Sequence, residues 1–246
     1  KDIFREHYKT PYFFSARVFE AMNLEYIELE KIYRQRDNDF IEMLNSIRNK
    51  TITDEQLYKI NEKCFVEEID EQQEENLTIR LTTTNAIAEN INQRKLGELP
   101  GEKHVFAGIM DGKFDQKSLP TDADLILKKN AQVMMVNNDT TKRWINGTMG
   151  KVVNIYKEEG EKIIQVQLQN GKIENVKRNT WELFHYTYDT KKKTLDSKVV
   201  GSFEQYPLML AWAVTIHKSQ GKTFDRVILD IGHGTFAHGQ MYVALS

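Results

Sequence analysis

The sequence predicts an α/β protein interrupted by a small all-β segment, and three observations support this fold class. A short strand pattern at residues 77–81 leads through a polar turn into a helical apolar pattern at residues 86–91, which is the unit of an α/β domain. Residues 208–211 and, apart from Asp230, residues 227–231 are apolar runs, which are typical of strands buried on both faces. Residues 151–202 show strand patterns, no convincing helical pattern and an excess of Lys and Arg over Asp and Glu.

The remaining elements follow from periodicity and turn residues. Residues 26–29 alternate like a short strand, and Asp37 suits the N-cap of a helix that contains Leu44. Residues 53–76 indicate one or two helices, whose acidic end we interpret as a solvated face or a connector. Residues 97–121 are expected to be mostly loop. Further strand patterns, with tight turns at Asn146-Gly147 and Asn170-Gly171, lie at residues 133–136, 150–155, 163–168 and 173–176.

The composition is that of a globular protein with a sizeable core. The 246 residues fit one large domain or two smaller ones, and 40% of them are hydrophobic. The net charge of −2 argues against a strongly basic, histone-like binder of nucleic acid, but it leaves a local binding groove open. No apolar run approaches the roughly 18 residues that cross a bilayer, and no signal-peptide pattern is present, so we expect an intracellular protein without a membrane partner.

The chain ends and the single cysteine limit the possibilities further. The first residue is Lys1 rather than Met, and Ser246 falls inside a helical pattern, so we expect a piece of a longer polypeptide. Cys64 has no second thiol for an intrachain disulfide or a Cys-based zinc site, and we interpret it as a small, partly buried side chain. No metal site is predicted in the chain.

Residues 82–85, Thr-Thr-Thr-Asn, lie where a predicted strand passes into a predicted helix. The first turn of a helix has free N–H donors and a partial positive charge, so hydroxyl groups beside it form a phosphate-binding corner. The alternative is a well-capped helix preceded by β-forming threonines.

Residues 215–221, Thr-Ile-His-Lys-Ser-Gln-Gly, bring two hydroxyls, a histidine and a lysine into one short segment after an apolar strand that is expected to end near Ala211. Such a cluster suits several modest hydrogen bonds to a phosphodiester backbone, and Gly221 suits a helix C-cap. A catalytic base at His217 is the weaker alternative, because no nucleophile or carboxylate partner is recognisable. Residues 221–223, Gly-Lys-Thr, end like a Walker A loop, but Ile216 occupies the position of its first glycine, so we reject a phosphate loop.

Three further residues are candidates for ligand contacts. Arg34 follows an apolar strand pattern and precedes an amphipathic helix, where its guanidinium suits a bidentate phosphate contact; the alternative is an exposed salt bridge. Arg143 and Trp144 pair a charge with a stacking surface, as single-strand binders do, and an ordinary loop is the alternative.

Taken in order, these segments resemble the C-terminal half of the petite-integration-frequency (Pif) DNA helicases, the RecD-related branch of superfamily one that moves 5′ to 3′. The resemblance spans nearly the whole chain and is most specific near residues 215 and 240. The matching segments are residues 29–35 with Phe40, Leu44, Asn45 and Arg48, residues 82–85 with Ile91 and Asn92, and residues 132–150, 207–221 and 239–246.

The resemblance implies a domain organisation. It predicts a RecA-like parallel-sheet domain formed by residues 29–150 and 203–246, with a small Src-homology-3-like β-barrel inserted at residues 151–202. Residues 1–28 match the tail of a first RecA-like domain, whose phosphate loop and magnesium-binding carboxylates lie upstream.

The resemblance also implies roles for single residues. Arg34 matches a catalytic arginine that senses the γ-phosphate of ATP. The positions that match DNA-backbone contacts are Thr83, Thr84, Asn85, Thr215, His217, Lys218 and Ser219. Gln220 and Gly221 match the relay of the nucleotide state. Gln240 and Tyr242 match a motif whose arginine finger closes on ATP; that arginine follows the Ala-Leu-Ser triplet in the family, and the chain stops at Ser246.

The implied cofactor is ATP with Mg²⁺, bound mainly by the first RecA-like domain. The implied partners are single-stranded DNA, forked or structured DNA and that first domain, in a monomeric helicase of DNA repair, recombination and telomere maintenance. Two alternatives stay open: a stand-alone single-strand-binding module without a motor, and a RecD-like motor that serves a nuclease or a relaxase. A Walker A loop followed by paired acidic residues upstream of Lys1 would distinguish the motor from the module.

Overall fold

The computed structural model describes residues 8–10, 12–27, 37–65, 77–115, 119–189, 194–232, 234–235, 237 and 239–246. The chain divides into two compact units, residues 1–46 and residues 47–246. In the first unit, two short 3₁₀ turns at Phe13–Ser15 and Arg17–Glu20 place Phe13 edge-on to Phe19, with ring centroids 5.4 Å apart. Tyr26 and Ile27 are exposed and not in a strand, so the strand predicted at 26–29 is wrong over these two residues; residues 28 and 29 lie outside the described part.

Two helices precede the sheets, α1 at Asn38–Asn49 and α2 at Asp54–Cys64. The predicted N-cap of α1 is confirmed, because Asp37 Oδ1 accepts hydrogen bonds from the backbone N–H of Asp39 and of Phe40 at 3.0 and 3.2 Å. Helix α2 begins with a capping box between Thr53 and Gln56. Partial burial of Cys64 was expected and is wrong, since the last residue of α2 is exposed.

A three-stranded parallel sheet forms the centre of the second unit. Its strands are β1 at Ile79–Thr82, β12 at Ala213–Thr215 and β13 at Val227–Asp230, in the order β12-β1-β13. Helix α3, at Asn85–Glu98, follows β1 and contacts both β1 and β12. The strand–turn–helix unit predicted at residues 77–91 is therefore confirmed.

The burial expected for residues 227–231 is wrong. Strand β13 pairs with β1 on one side and lies at an edge of the described sheet, and Val227 is exposed while the three residues after it are half-buried. An edge strand is covered less completely than a central one, which is the physical reason for the difference. The apolar run predicted a strand correctly but not its position in the sheet.

An antiparallel sheet of five strands has the order β11-β5-β6-β7-β8. These strands are β5 at Gln132–Met135, β6 at Met149–Glu158, β7 at Glu161–Leu168, β8 at Ile173–Val176 and β11 at Leu208–Leu210. The turns predicted at Asn146-Gly147 and Asn170-Gly171 are confirmed, with φ of 99° at Gly147 and 83° at Gly171. The run at 208–211 was expected to be a strand of the α/β texture buried on both faces, but β11 pairs antiparallel with β5 and ends before Ala211.

The last strands form two smaller antiparallel sheets. Strands β2 at His104–Ala107 and β4 at Asp124–Leu127 pair with each other. Strand β10 at Thr194–Gln205 pairs with β9 at Asn179–Asp189 and with β3 at Ile109–Gly112. Residues 97–121 were expected to be mostly loop, and β2 and β3 correct this. Strand β3 pairs with the distant β10, and β2 pairs with β4 across the intervening β3, so neither forms a hairpin with a local turn signal.

The predicted inserted barrel is not confirmed, since the described strands form open sheets and no closed barrel. Both predicted limits of the insertion fall inside strands, because β6 begins at Met149 and β10 continues to Gln205. Among the described helices, none is both long enough and apolar enough to cross a membrane.

Two buried amides connect the parallel sheet to its neighbours. Asn92 of α3 accepts a hydrogen bond from Ala213 N–H with its Oδ1 and donates one to Ala213 C=O with its Nδ2, both at 2.9 Å. Gln132 at the start of β5 donates to the carbonyls of Thr78 and Ala211 at 2.7 and 2.8 Å. These side chains satisfy backbone groups at the start of β12 and just before β1.

Replacing Asn92 with Ala should lower the free energy of unfolding by about 3 kcal/mol, because the N–H and C=O of Ala213 would both be buried without their amide partner. Urea denaturation of the purified chain measures this loss. The matched control is Asn90→Ala on the exposed face of the same helix, which should change stability by less than about 0.5 kcal/mol. Equal effects at the two positions would contradict the role assigned to Asn92.

Candidate functional site

The two predicted phosphate-binding corners lie at the same edge of the parallel sheet. Thr82 at the end of β1 is in register with Thr215 at the end of β12 and with Asp230 at the end of β13. Parallel strands place their carboxyl ends together, and ligands of open α/β sheets bind outside those ends. The sequence predicted each corner separately, and the strand register brings them together.

The first corner is the junction of β1 and α3. Thr84 is the N-cap of α3, and its Oγ1 accepts a hydrogen bond from Ile87 N–H at 3.4 Å. Thr82 Oγ1 donates to the carbonyl of Thr84 at 3.1 Å, which fixes the turn. Thr84 and Asn85 are exposed, whereas Thr83 is only 6% exposed. The surface that this corner offers a ligand therefore belongs mainly to Thr84 and Asn85, at the positive end of the helix dipole.

The second corner is the short helix α4, at Ile216–Ser219, directly after β12. Thr215 Oγ1 accepts from Lys218 N–H at 3.4 Å, and the buried Ser219 donates its hydroxyl to the carbonyl of Ile216 at 2.8 Å. His217 and Lys218 are exposed. Both hydroxyls of this segment are thus engaged with the helix, and the imidazole and the ammonium face outward.

The strand that directly precedes the second corner was not predicted. The predicted apolar strand ends near Ala211, as β11 does at Leu210, and the separate strand β12 then passes directly into α4. Gly221 has a φ of 76°, which confirms its predicted place just after the helix. No helix follows Thr223, since residues 222–224 lead into β13, and this agrees with the rejection of a Walker A loop.

Lys218 interacts electrostatically with charged groups of both signs. Burial raises the pKa of Asp122, while the charge of Lys218 lowers it and that of Glu89 raises it. Burial also lowers the pKa of Lys222, and the neighbouring charge of Lys218 lowers it further. The exposed Lys218 therefore interacts electrostatically with a partly desolvated carboxylate and with a second cation.

The residues predicted to couple to the nucleotide lie beside this corner. Gln240 and Tyr242 belong to helix α5, at Gln240–Leu245, which contacts α4. Gln240 is buried, and its Oε1 accepts from Ala237 N–H at 3.5 Å. Gln220 and Gly221 follow α4 directly and are exposed. The structure thus groups all four residues, and their roles toward ATP remain predictions.

The stacking surface predicted at Arg143 and Trp144 is wrong. Trp144 is only 5% exposed, packs in the hydrophobic core and donates from its indole Nε1 to Asn137 Oδ1 at 3.0 Å. Arg143 lies over the indole ring at 4.3 Å and forms two hydrogen bonds to Asp139, from Nε at 3.0 Å and from Nη2 at 2.7 Å. The indole and the guanidinium stabilise the loop between β5 and β6, and the buried indole presents no free face for a base. The predicted contact of the exposed Arg143 with DNA stays a prediction.

Arg34, the predicted catalytic arginine, lies outside the described residues, and its role stays a prediction. No group of three or more His, Cys, Asp or Glu side chains in the described ranges is arranged to hold a metal ion. Sequence reasoning missed Asn92 and Gln132 as positioning residues. Both are ordinary amides in the sequence, and only their buried contacts with distant backbone reveal them.

The fold and the site together define an α/β domain with two candidate ligand-binding corners at the carboxyl edge of a parallel sheet. No family model matches the chain. The chain is 31% identical over 234 residues to the ATP-dependent DNA helicase Pif1 of Bdellovibrio bacteriovorus, covering 93% of this chain and 49% of that protein. It is 35% identical over 226 residues to the human ATP-dependent DNA helicase PIF1, covering 89% of this chain and 33% of that protein.

Solved structures agree with these relatives. The crystal structure of a Bacteroides Pif1 in complex with ADP-AlF4 has a TM-score of 0.83 and 37% identity, covering 99% of this chain and 54% of that chain. The crystal structure of Bacteroides Pif1 in complex with ADP-AlF3 and single-stranded DNA has a lower TM-score of 0.64. The chain is similar over nearly its whole length to Pif1 helicases. It spans between a third and a half of the length of these two curated relatives.

Replacing Asp139 with Asn should destabilise the chain by about 1–2 kcal/mol at neutral pH, because the partly exposed Arg143 guanidinium loses its carboxylate. Hydrogen bonds from Arg143 hold the pKa of Asp139 well below its ordinary value. The stabilisation is therefore fully present above the unfolded-state pKa of about 4, and it is lost as pH falls through the lower pKa of the folded chain.

Urea denaturation at several pH values checks this dependence. The difference between the unmodified chain and the Asp139→Asn variant should be largest at pH 7 and should shrink as the pH falls below 4. The matched control is Asp196→Asn on the exposed strand β10, where no such difference is expected. A stability difference that is constant from pH 7 to pH 3 would contradict the ion pair as its source.

Proposed function

We propose that this chain is the DNA-gripping part of an ATP-dependent DNA helicase, and that it forms one wall of the ATP site. The observation that supports this most directly is the register of Thr82 with Thr215, which brings both predicted phosphate contacts to one sheet edge. The relatives at this level of identity are named ATP-dependent DNA helicases, and one similar structure is bound to single-stranded DNA.

The grip on single-stranded DNA would come from phosphate contacts. Thr84 and Asn85 offer polar groups at the positive end of α3, and His217 and Lys218 face outward from α4. Thr83, Thr215 and Ser219 support these positions from within, through their burial and their bonds to local backbone. Binding through phosphates is largely independent of base sequence and weakens with salt.

The ATP site would be completed by a second domain. We assign to that domain the phosphate loop and most contacts to ATP and Mg²⁺, because no Walker A pattern is recognisable in this sequence. Arg34 would stabilise the charge of the transferring phosphate, and Gln220, Gly221, Gln240 and Tyr242 would relay nucleotide state to α4. Opening and closing of the cleft would then move single-stranded DNA across the two domains.

The finer features follow from the family resemblance. We propose 5′-to-3′ movement, forked or structured DNA as substrate and a monomer as the acting form, inside the cell. The antiparallel strands between residues 151 and 202 would correspond to the Src-homology-3-like insertion. Residues 29–150 and 203–246 would form the second motor domain, and residues 1–28 the tail of the first.

Replacing Lys218 with Met should weaken binding of oligo(dT) by about three- to tenfold at 150 mM salt, and it should lower the salt slope by about 0.7, the value for one lost phosphate contact on a single strand. Fluorescence anisotropy with a labelled oligonucleotide, from 50 to 300 mM salt, measures both quantities. The control is Lys157→Met, on an exposed position of β6 away from the sheet edge, with no expected change.

A wild-type affinity and slope for Lys218→Met would remove this lysine from the DNA contact. If the unmodified protein does not bind the oligonucleotide at any salt concentration, the proposed DNA-gripping function itself is wrong.

Replacing Arg34 with Ala in the full-length protein should lower DNA-stimulated ATP turnover by about a thousandfold or more while leaving single-strand affinity nearly unchanged, because this arginine is assigned to phosphate charge alone. A coupled ATPase assay and anisotropy measure the two effects, and Arg17→Ala is the control. A large loss of DNA affinity would show that Arg34 contacts DNA rather than the phosphate of ATP.

This chain alone should hydrolyse no ATP. DNA-stimulated hydrolysis by it would contradict the assignment of the phosphate loop to the other domain.

A further inference from the structure

Helix α4 is a single turn and depends on contacts at its two ends. An isolated turn is unstable in water, because fixing several residues yields only one hydrogen bond. At the amino end, Thr215 Oγ1 accepts from Lys218 N–H. At the carboxyl end, Lys222 donates from its Nζ to the carbonyl of Lys218 at 2.6 Å and from its backbone N–H to the carbonyl of Ser219 at 3.0 Å. Lys222 thus holds the last carbonyls of the turn that presents His217 and Lys218.

The side chain of Lys222 is itself fixed by the turn between β5 and β6. Its methylene groups lie across Gly147, where an added Cβ would come within 2.9 Å of Lys222 Cγ and 3.1 Å of Cδ. Gly147 is buried, and its N–H donates to the carbonyl of Met135 at the end of β5 at 2.9 Å. The absence of a side chain at Gly147 creates the channel in which the lysine stem lies.

The charge of Lys222 fits a structural rather than a solvated position. Burial lowers its pKa, and the neighbouring Lys218 lowers it further. The hydrogen bond from the Lys222 ammonium to a carbonyl at the negative end of the helix compensates part of the free energy lost by desolvating this charge. Lys222 directly follows residues 215–221, for which the sequence predicts ligand contacts. Since residues 221–223 are not a Walker A loop, the sequence assigns no role to Lys222.

We propose that Lys222 is a positioning residue for the DNA contact, which holds α4 in its binding conformation and connects it to the Asn146-Gly147 turn. The inference rests on the proposed binding of single-stranded DNA by His217 and Lys218. The ammonium of Lys222 acts through the carbonyl of Lys218 and does not contact phosphate. Through Gly147, the antiparallel sheet sets the position of the turn that grips DNA.

The first experiment compares Lys222→Met, Lys218→Met and the control Lys157→Met in the full-length protein, by anisotropy with labelled oligo(dT). Lys222→Met keeps the stem over Gly147 and removes the donor. It should weaken binding about tenfold, as expected for one lost hydrogen bond to a charged group, and it should keep the wild-type salt slope. Lys218→Met should lower the slope, and Lys157→Met should change neither.

Unchanged affinity of Lys222→Met would overturn the proposal. A slope lowered by about 0.7, as for Lys218→Met, would also overturn it, because Lys222 would then contact phosphate directly.

The second measurement needs no DNA. Hydrogen exchange of the peptide that spans residues 215–221 should be about tenfold faster in Lys222→Met than in the unmodified protein, and unchanged in Lys157→Met. Failure of the unmodified protein to bind oligo(dT) would contradict the proposed function, whereas equal exchange rates would contradict the role of Lys222 separately.

A double-mutant comparison tests the link through Gly147. Gly147→Ala should weaken DNA binding when Lys222 is present, because the new Cβ displaces the stem. In a Lys222→Gly background, which lacks Cβ, Cγ and Cδ, the same change should lower affinity less, because only the backbone strain at a φ of 99° remains and that strain is common to both backgrounds. Full additivity of the two losses would show that Gly147 acts independently of Lys222.

Discussion

The pairing of β1 with β12 is the interaction on which the rest of the site depends. It places Thr82 beside Thr215, and each of these residues precedes a helix that presents polar groups to solvent. Backbone ladders alone do not complete this pairing, because β12 has only three residues. Asn92 binds both backbone groups of Ala213, and Gln132 holds the neighbouring carbonyls of Thr78 and Ala211. Buried amides thus fix the distance between the two corners, at positions where an unsatisfied backbone group would be costly.

The antiparallel sheets support the site although none of their strands belongs to either corner. Met134 and Met149 of β5 and β6 pack with Ile79, Leu81 and Val214 in one hydrophobic cluster, so the two kinds of sheet share part of their core. The loop that joins β5 to β6 is held by Asp139, Arg143 and the buried Trp144, and it ends in the turn that supports Lys222. Under the proposed function, this loop would give the DNA contact of α4 a fixed support through Gly147 and Lys222.

Sequence reasoning predicted local elements well wherever a short-range signal existed. The N-cap at Asp37, the corner at residues 82–85 and the turns at Gly147 and Gly171 all have the predicted geometry, because each depends on residues within a few positions. It failed where the partner lies far along the chain. Strands β2 and β3 were missed, β11 was assigned to the wrong kind of sheet and the insertion formed no closed barrel. Trp144 beside Arg143 suggested a stacking surface because exposure, unlike residue type, cannot be read from neighbours.

The sequence by itself determined the α/β class, the two hydroxyl-rich corners and the resemblance to a helicase family, since motif order and turn chemistry are written in consecutive residues. Only the tertiary structure decided that the two corners share one edge, that Asn92 and Gln132 hold them there and that Lys222 lies in the channel over Gly147. These contacts join residues that are tens of positions apart. Their energies come from burial and from satisfying distant backbone groups, which no local pattern specifies.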